Sequence, residues 1–160
     1  MRKFFTLLTA GLFVMLGATA AEQLDIRKIT NGAYSAQGVG GMRSMNDGEH
    51  YMMIGDGGTC LVRYAFKTGE VVDTLFSVNN TRGCDFKRFD GYIMSPAEDR
   101  ILIQTKTNYI YRRSFTAEYY IYDVKNRKMV PLSNGGPQQV PSFSPDGKMI
   151  AFVRDNNIHL

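Results

Sequence analysis

The sequence predicts an all-β protein, a partial β-propeller of about two and a half four-stranded antiparallel blades, and three observations carry that prediction. Met45, Met94 and Phe143 each close an apolar segment just before a turn, at steps of 49 residues. Self-similarity at about 40 to 50 residues is the mark of a propeller blade. Each turn has related chemistry, Asn46-Asp47-Gly48, Ser95-Pro96-Ala97-Glu98-Asp99 and Ser144-Pro145-Asp146-Gly147, and a second apolar strand starts directly after it. Pro presets φ, Asp or Asn caps the backbone and Gly takes a positive φ, so the pattern reads as a hairpin. Finally, Tyr, Ile, Val and Phe are enriched in these segments, and no stretch follows a 3.6-residue period.

In chain order, the first element is an export signal. Arg2 and Lys3 precede an apolar run from Phe4 to Leu16, and Ala18-Thr19-Ala20 has the small-x-small pattern of a cleavage site. Residues 1–21 are therefore read as a signal peptide, and the mature chain as exported to the periplasm or the medium. The run is too short for a membrane anchor, since spanning takes roughly 20 apolar residues. The signal carries two of the 19 basic residues and none of the 15 acidic ones, which leaves the mature chain at +2. So small a charge gives no reason to expect nucleic acid as a partner. Cys60 and Cys84 leave two possibilities open, a disulfide, which an exported protein permits, or two free thiols packed in or near strands. His50 and His159 stand alone, no Cys/His spacing suits a metal, and no cofactor is expected.

Residues 22–160 are read as the propeller portion, with blade 1 at about 39–77, blade 2 at about 88–133 and blade 3 begun at about 139–160. In blade 1 the third and fourth strands are expected at Thr59–Phe66 and from Val71 to Phe76, around a Lys67–Glu70 turn. In blade 2 they are expected at Glu118–Val124 and Lys128–Leu132. Blade 2 also holds an excursion, Lys106 to Thr116, between its second and third strands; extra residues on a repeat scaffold commonly form binding loops. Arg112 and Arg113 sit in it among Tyr109, Tyr111 and Phe115. On their own, two such arginines read as a solvated basic turn, and the cluster is too short for a single-stranded nucleic acid groove. Asn157 to Leu160 reads as the start of a third strand in blade 3. Blades left unclosed expose strand edges and apolar faces, so residues 22–160 expressed alone are expected to aggregate; a monomeric, reversibly unfolding product would contradict this.

Tyr111-Arg112-Arg113-Ser114-Phe115-Thr116-Ala117, followed by the Tyr-rich Glu118-Tyr119-Tyr120-Ile121-Tyr122-Asp123-Val124, resembles the dipeptidyl peptidase IV family of serine peptidases. The likeness extends to Arg43-Ser44-Met45, Val72-Asp73-Thr74-Leu75-Phe76-Ser77 and Phe143-Ser144-Pro145-Asp146-Gly147, and covers nearly all of residues 24–160. The resemblance implies an eight-bladed propeller capping an α/β-hydrolase domain, a full-length homodimer, and release of Xaa-Pro or Xaa-Ala dipeptides from peptides with a free N-terminus. It also implies a substrate-binding role for Arg112, whose guanidinium would hold a substrate carbonyl oxygen. Arg113 stands where relatives often carry His and receives no role.

Much of that machinery is absent from these 160 residues. They contain no Glu-Glu pair of the kind that holds the substrate amino terminus in the family, and no Gly-x-Ser-x-Gly elbow. Serine catalysis needs nucleophile, base and orienting carboxylate together. No catalytic residue is therefore assigned, and these residues alone are expected to be inactive. The catalytic domain would belong to the same parent chain, with about 550 further residues at roughly 50 per blade plus the hydrolase domain. The competing reading is a non-enzymatic periplasmic β-propeller that binds a protein or peptide through its loops.

Overall fold

The computed structural model describes residues 24–36, 38 and 40–160; the expected signal peptide lies outside the described residues. The chain divides into two compact units, residues 1–38 and 39–160. Among the described residues of the first, a short helix, α1 (Ile26–Thr30), is capped by Asp25, whose side chain accepts from the Arg27 backbone N–H at 2.9 Å. A five-residue helix is too short to show a period, which is why the sequence pattern did not announce it.

The second unit is strand and turn apart from a 3-10 turn at Val78–Asn80. Sheet one has the order β1 (Arg43–Ser44), β2 (His50–Gly55), β3 (Cys60–Ala65), β4 (Val71–Ser77). Sheet two has β5 (Gly91–Met94), β6 (Arg100–Tyr109), β7 (Phe115–Asp123), β8 (Lys128–Pro131). Sheet three has β9 (Gln139–Phe143), β10 (Ile150–Arg154) and β11 (Asn157–His159). Every pairing joins sequence neighbours and is antiparallel, as in successive blades of a partial propeller.

The three turns that open the sheets share one hydrogen-bond frame. Met45 donates to the His50 carbonyl, Ser95 to that of Arg100 and Ser144 to that of Met149, each at 2.9 Å. Gly48, Glu98 and Gly147 then take positive φ of 69°, 58° and 70°. Met45, Ser95 and Ser144 are thus the equivalent residues, so the first step is 50 residues and the second 49. The chemistry of the offset is visible. Ser95 and Ser144 accept the Arg100 and Met149 N–H groups on their hydroxyls, both at 3.0 Å. Met45 has no hydroxyl, and Asp47 substitutes by accepting from the Glu49 and His50 N–H groups at 2.9 and 3.0 Å. Neighbouring turns are tied together: Asn46 donates its backbone N–H to Glu98 and its side-chain amide to the Pro96 carbonyl.

Sheet two is buried on both faces, which explains the unbroken Ile101-Leu102-Ile103 run, each 0% exposed. Ile101, Ile103, Tyr120 and Tyr122 face sheet one and pack with Met52, Leu61 and Phe76. Leu102, Ala117 and Tyr119 form a second cluster with Phe143 and Ile150 of sheet three. Alternate side chains along a strand point to opposite faces, so one strand pair serves two interfaces.

Candidate functional site

The excursion at Lys106–Thr116 is more ordered than the sequence suggested. It is a continuation of the β6–β7 hairpin, with a tip of only five residues, Ile110 to Ser114. The pairing of β6 with β5 ends at Gln104, so the last five residues of β6 run past the body of the sheet, about 16 Å at 3.3 Å per residue. Pairing with β7 resumes beyond a break, as Asn108 faces Thr116 and Tyr109 faces Phe115. The tip closes on itself: the Ile110 and Tyr111 N–H groups both donate to the Ser114 carbonyl, at 2.9 and 3.1 Å. Tyr109 and Phe115 lie 5.8 Å apart across the two strands and brace its base.

Arg112 stands at this tip. It is exposed and makes no hydrogen bond, ion pair or ring contact among the described residues. A guanidinium left with all five donors free on an ordered hairpin can take a carbonyl or carboxylate from a ligand. Arg113 differs. With Ser114, Phe115 and Tyr119 it lines a cleft of about 360 Å³, whose far wall is Val140 and Pro141 of β9. A second cleft, of about 440 Å³, lies on the sheet-one side between Thr107 and Tyr109 of the hairpin and Gly57, Gly58 and Arg88. The Arg88 guanidinium is already spent there on the Gly57 carbonyl, at 2.6 Å.

Polar groups at the hairpin root form a network that sequence reading missed. The Lys106 ammonium lies 2.8 Å from Glu118 and 3.6 Å from Asp85. Asp85 also accepts from the Tyr120 hydroxyl at 2.7 Å. That hydrogen bond, with Lys106 nearby, holds Asp85 below the usual carboxylate range against the opposing pull of burial. Burial, then the Asp85 hydrogen bond and charge, pushes the Tyr120 hydroxyl well up. Burial alone pushes Tyr119 to about 12. These partners are 12 to 35 positions apart in the chain, and no local pattern marks them.

Cys60 and Cys84 are free thiols, which settles the question the sequence left open. Cys60 is buried with its sulfur 3.7 Å from Asp56, and Cys84 lies 4.0 Å from the Met129 sulfur. Among the described residues no group of three or more His, Cys, Asp or Glu could hold a metal ion.

Known proteins resemble this chain in sequence, and a solved structure resembles it in fold. Residues 95–160 match the family model described as the dipeptidyl peptidase IV (DPP IV) N-terminal region. A probable dipeptidyl-aminopeptidase B of Emericella nidulans is 29% identical over 159 residues, covering 90% of this chain and 17% of that protein. A probable dipeptidyl peptidase 4 of the same organism is 44% identical over 69 residues, covering 42% of this chain and 9% of that protein. The crystal structure of Porphyromonas gingivalis dipeptidyl peptidase 4 superposes with a TM-score of 0.77 at 45% identity, covering 88% of this chain and 20% of that one. The chain thus spans a fifth or less of the length of these relatives. Shared sequence in the hairpin and beyond it, together with a shared three-sheet fold, identify this chain as an N-terminal region of the dipeptidyl peptidase IV family.

Proposed function

We propose that the chain forms the N-terminal propeller portion of an exported serine dipeptidyl peptidase, and that it binds substrate without contributing a catalytic group. The observation that carries this reading is the β6–β7 hairpin, an ordered projection that offers the unpartnered Arg112 guanidinium at its tip. The matched relatives bear the names of dipeptidyl peptidases, which supplies the reaction class. In this reading the substrate is a peptide with a free N-terminus and Pro or Ala at its second position. Arg112 donates to a substrate carbonyl near the scissile bond. The nucleophile, base and orienting carboxylate come from an α/β-hydrolase domain of the same parent chain, which works as a homodimer.

The geometry suits that task for a physical reason. A long arginine side chain on a floppy loop would lose most of its binding energy to ordering. Here the tip is closed by two backbone hydrogen bonds and continues two paired strands, so less remains to be ordered. The test is Arg112→Ala in the full-length peptidase. A charge-assisted hydrogen bond of about 1.5–3 kcal/mol corresponds to a fall of roughly 10- to 150-fold in kcat/KM for Xaa-Pro substrates. Arg113→Ala should change it little. Equal losses from the two substitutions would show that the wrong guanidinium has been assigned to the substrate.

A further inference from the structure

We infer that Lys106 is a positioning residue: its ammonium, bridging Glu118 and Asp85, fixes a β-bulge at the root of the β6–β7 hairpin and thereby sets where Arg112 stands. This rests on the substrate-binding reading of Arg112.

The bulge is explicit in the register. Thr105 pairs with Glu118, and the next pair is Asn108 with Thr116. Lys106 and Thr107 together therefore oppose the single residue Ala117. Ala117 is unavailable to β6 because both its backbone groups are taken by Gln138, at 3.0 and 2.8 Å. A bulge bends its strand and re-aims the chain beyond it. Here that chain is Asn108 to Ser114, the segment carrying Arg112.

Lys106 sits in this bulge with φ of +52°, a left-handed conformation that favours glycine. The backbone gives no reason for lysine there, but the side chain does. Its Nζ lies 2.8 Å from the Glu118 carboxylate on β7 and 3.6 Å from Asp85 in the segment before β5. Asp85 is in turn held by the hydroxyl of Tyr120, whose ring packs in the core 5.2 Å from Phe86. The chain of contacts runs from the buried core through two carboxylates to the hairpin root. The other bulged residue, Thr107, is tied on the opposite side. Its N–H donates to Asp90 at 3.0 Å, and its hydroxyl accepts from Gln104 at 2.8 Å. Both extra residues are thus anchored, so the bend has one geometry and not several.

The experiment combines hydrogen exchange with kinetics in the full-length peptidase. Lys106→Met should quicken exchange across residues 106–116 by about tenfold. It should raise KM for an Xaa-Pro substrate about fivefold with kcat little changed. Lys106→Gly removes the same charge while suiting the left-handed backbone, and should behave alike even if the Met variant folds poorly. Lys106→Arg should restore both readings. In an Arg112→Ala background, Lys106→Met should add nothing further to KM. Unchanged exchange in Lys106→Met and Lys106→Gly overturns the inference. So does a KM rise that persists in full on top of Arg112→Ala, because the lysine would then act by another route. If exchange quickens while Arg112→Ala leaves kinetics untouched, the substrate reading fails and the clamp stands.

Discussion

Removing the ring of Phe76 should uncouple the first two sheets. Phe76 lies on β4 and is 1% exposed. Its ring meets Phe89 edge-on at 5.5 Å and Tyr122 of β7 edge-on at 4.9 Å. The interior around it is filled by Met52, Leu61 and Ile101, none of which is exposed. A Phe→Ala change in such a core costs about 3–5 kcal/mol, transfer and cavity together. Lost edge-to-face contacts push the value toward the upper end. At a urea dependence of about 2 kcal/mol per molar, a loss of about 4 kcal/mol lowers the unfolding midpoint by about 2 M. Pulse proteolysis in urea reads that midpoint in a soluble protein carrying this region. Val71→Ala on the same strand, at 60% exposure, provides the control. It should shift the midpoint by less than about 0.3 M, from a cost within about 0.5 kcal/mol. Similar small shifts for both variants would refute the claim that the aromatic contact joins the sheets.

The titrating groups give two further expected outcomes. Burial, reinforced by Asp56, raises the Cys60 thiol, and burial with Asp85 raises Cys84, so both should react slowly with a thiol reagent until the fold opens. Asp56→Asn should speed labelling of Cys60 alone, and two fast thiols in the native protein would contradict the packing. Stability should also fall at both ends of the pH range. The carboxyls of Asp47, Asp85, Asp123 and Asp146 are lowered by hydrogen bonding, so what they contribute is present above 3.8 and is lost as pH falls through their folded values. Tyr119 is raised from 10.0 to about 12, so its contribution is complete below 10.0 and is lost as pH rises through about 12. Urea midpoints measured against pH should show both limbs. Tyr119→Phe should shrink the alkaline one, and an unaltered alkaline limb would sink the assignment.

The repeat carried most of the fold in the open. Strands expected at Thr59–Phe66 and Glu118–Val124 lie at Cys60–Ala65 and Phe115–Asp123, because runs rich in Tyr, Val and Ile bounded by turn residues mark strands even where, as here, burial does not alternate. The one-residue error in the first step came from chemistry that a pattern conceals. A methionine backed by Asp47 does the work that serine does in the later copies, so matching apolar residues aligned the wrong pair. Glu98 in a left-handed position hides in the same way, since the sequence signal there is glycine. Of the site, the surplus chain and its arginines were legible from the residues alone. That the surplus is paired strand was not, because the bulge at Lys106 breaks the alternation that would have marked it.

That concealment has a physical basis that bears on how such a site can be altered. The two inner faces of sheet two are committed to packing, with Leu102 on one side and Ile101 and Ile103 on the other, all without exposure. These central positions are not free to present a charge. If the Arg112 guanidinium is directed at a ligand, as proposed above, it must therefore be carried beyond the sheet, and carried on something stiff. Extending β6 past Gln104 supplies the reach, and pairing with β7 supplies the stiffness. On the reading proposed above the bulge supplies the direction, and the Lys106 charges at the surface hold it, joined to the core only through Tyr120 and Asp85. Substitutions in the core away from Tyr120, such as Phe76→Ala, should therefore lower stability while leaving the hairpin aimed. Substitutions around Lys106 should do the reverse, and a salt titration should mimic the second class and not the first.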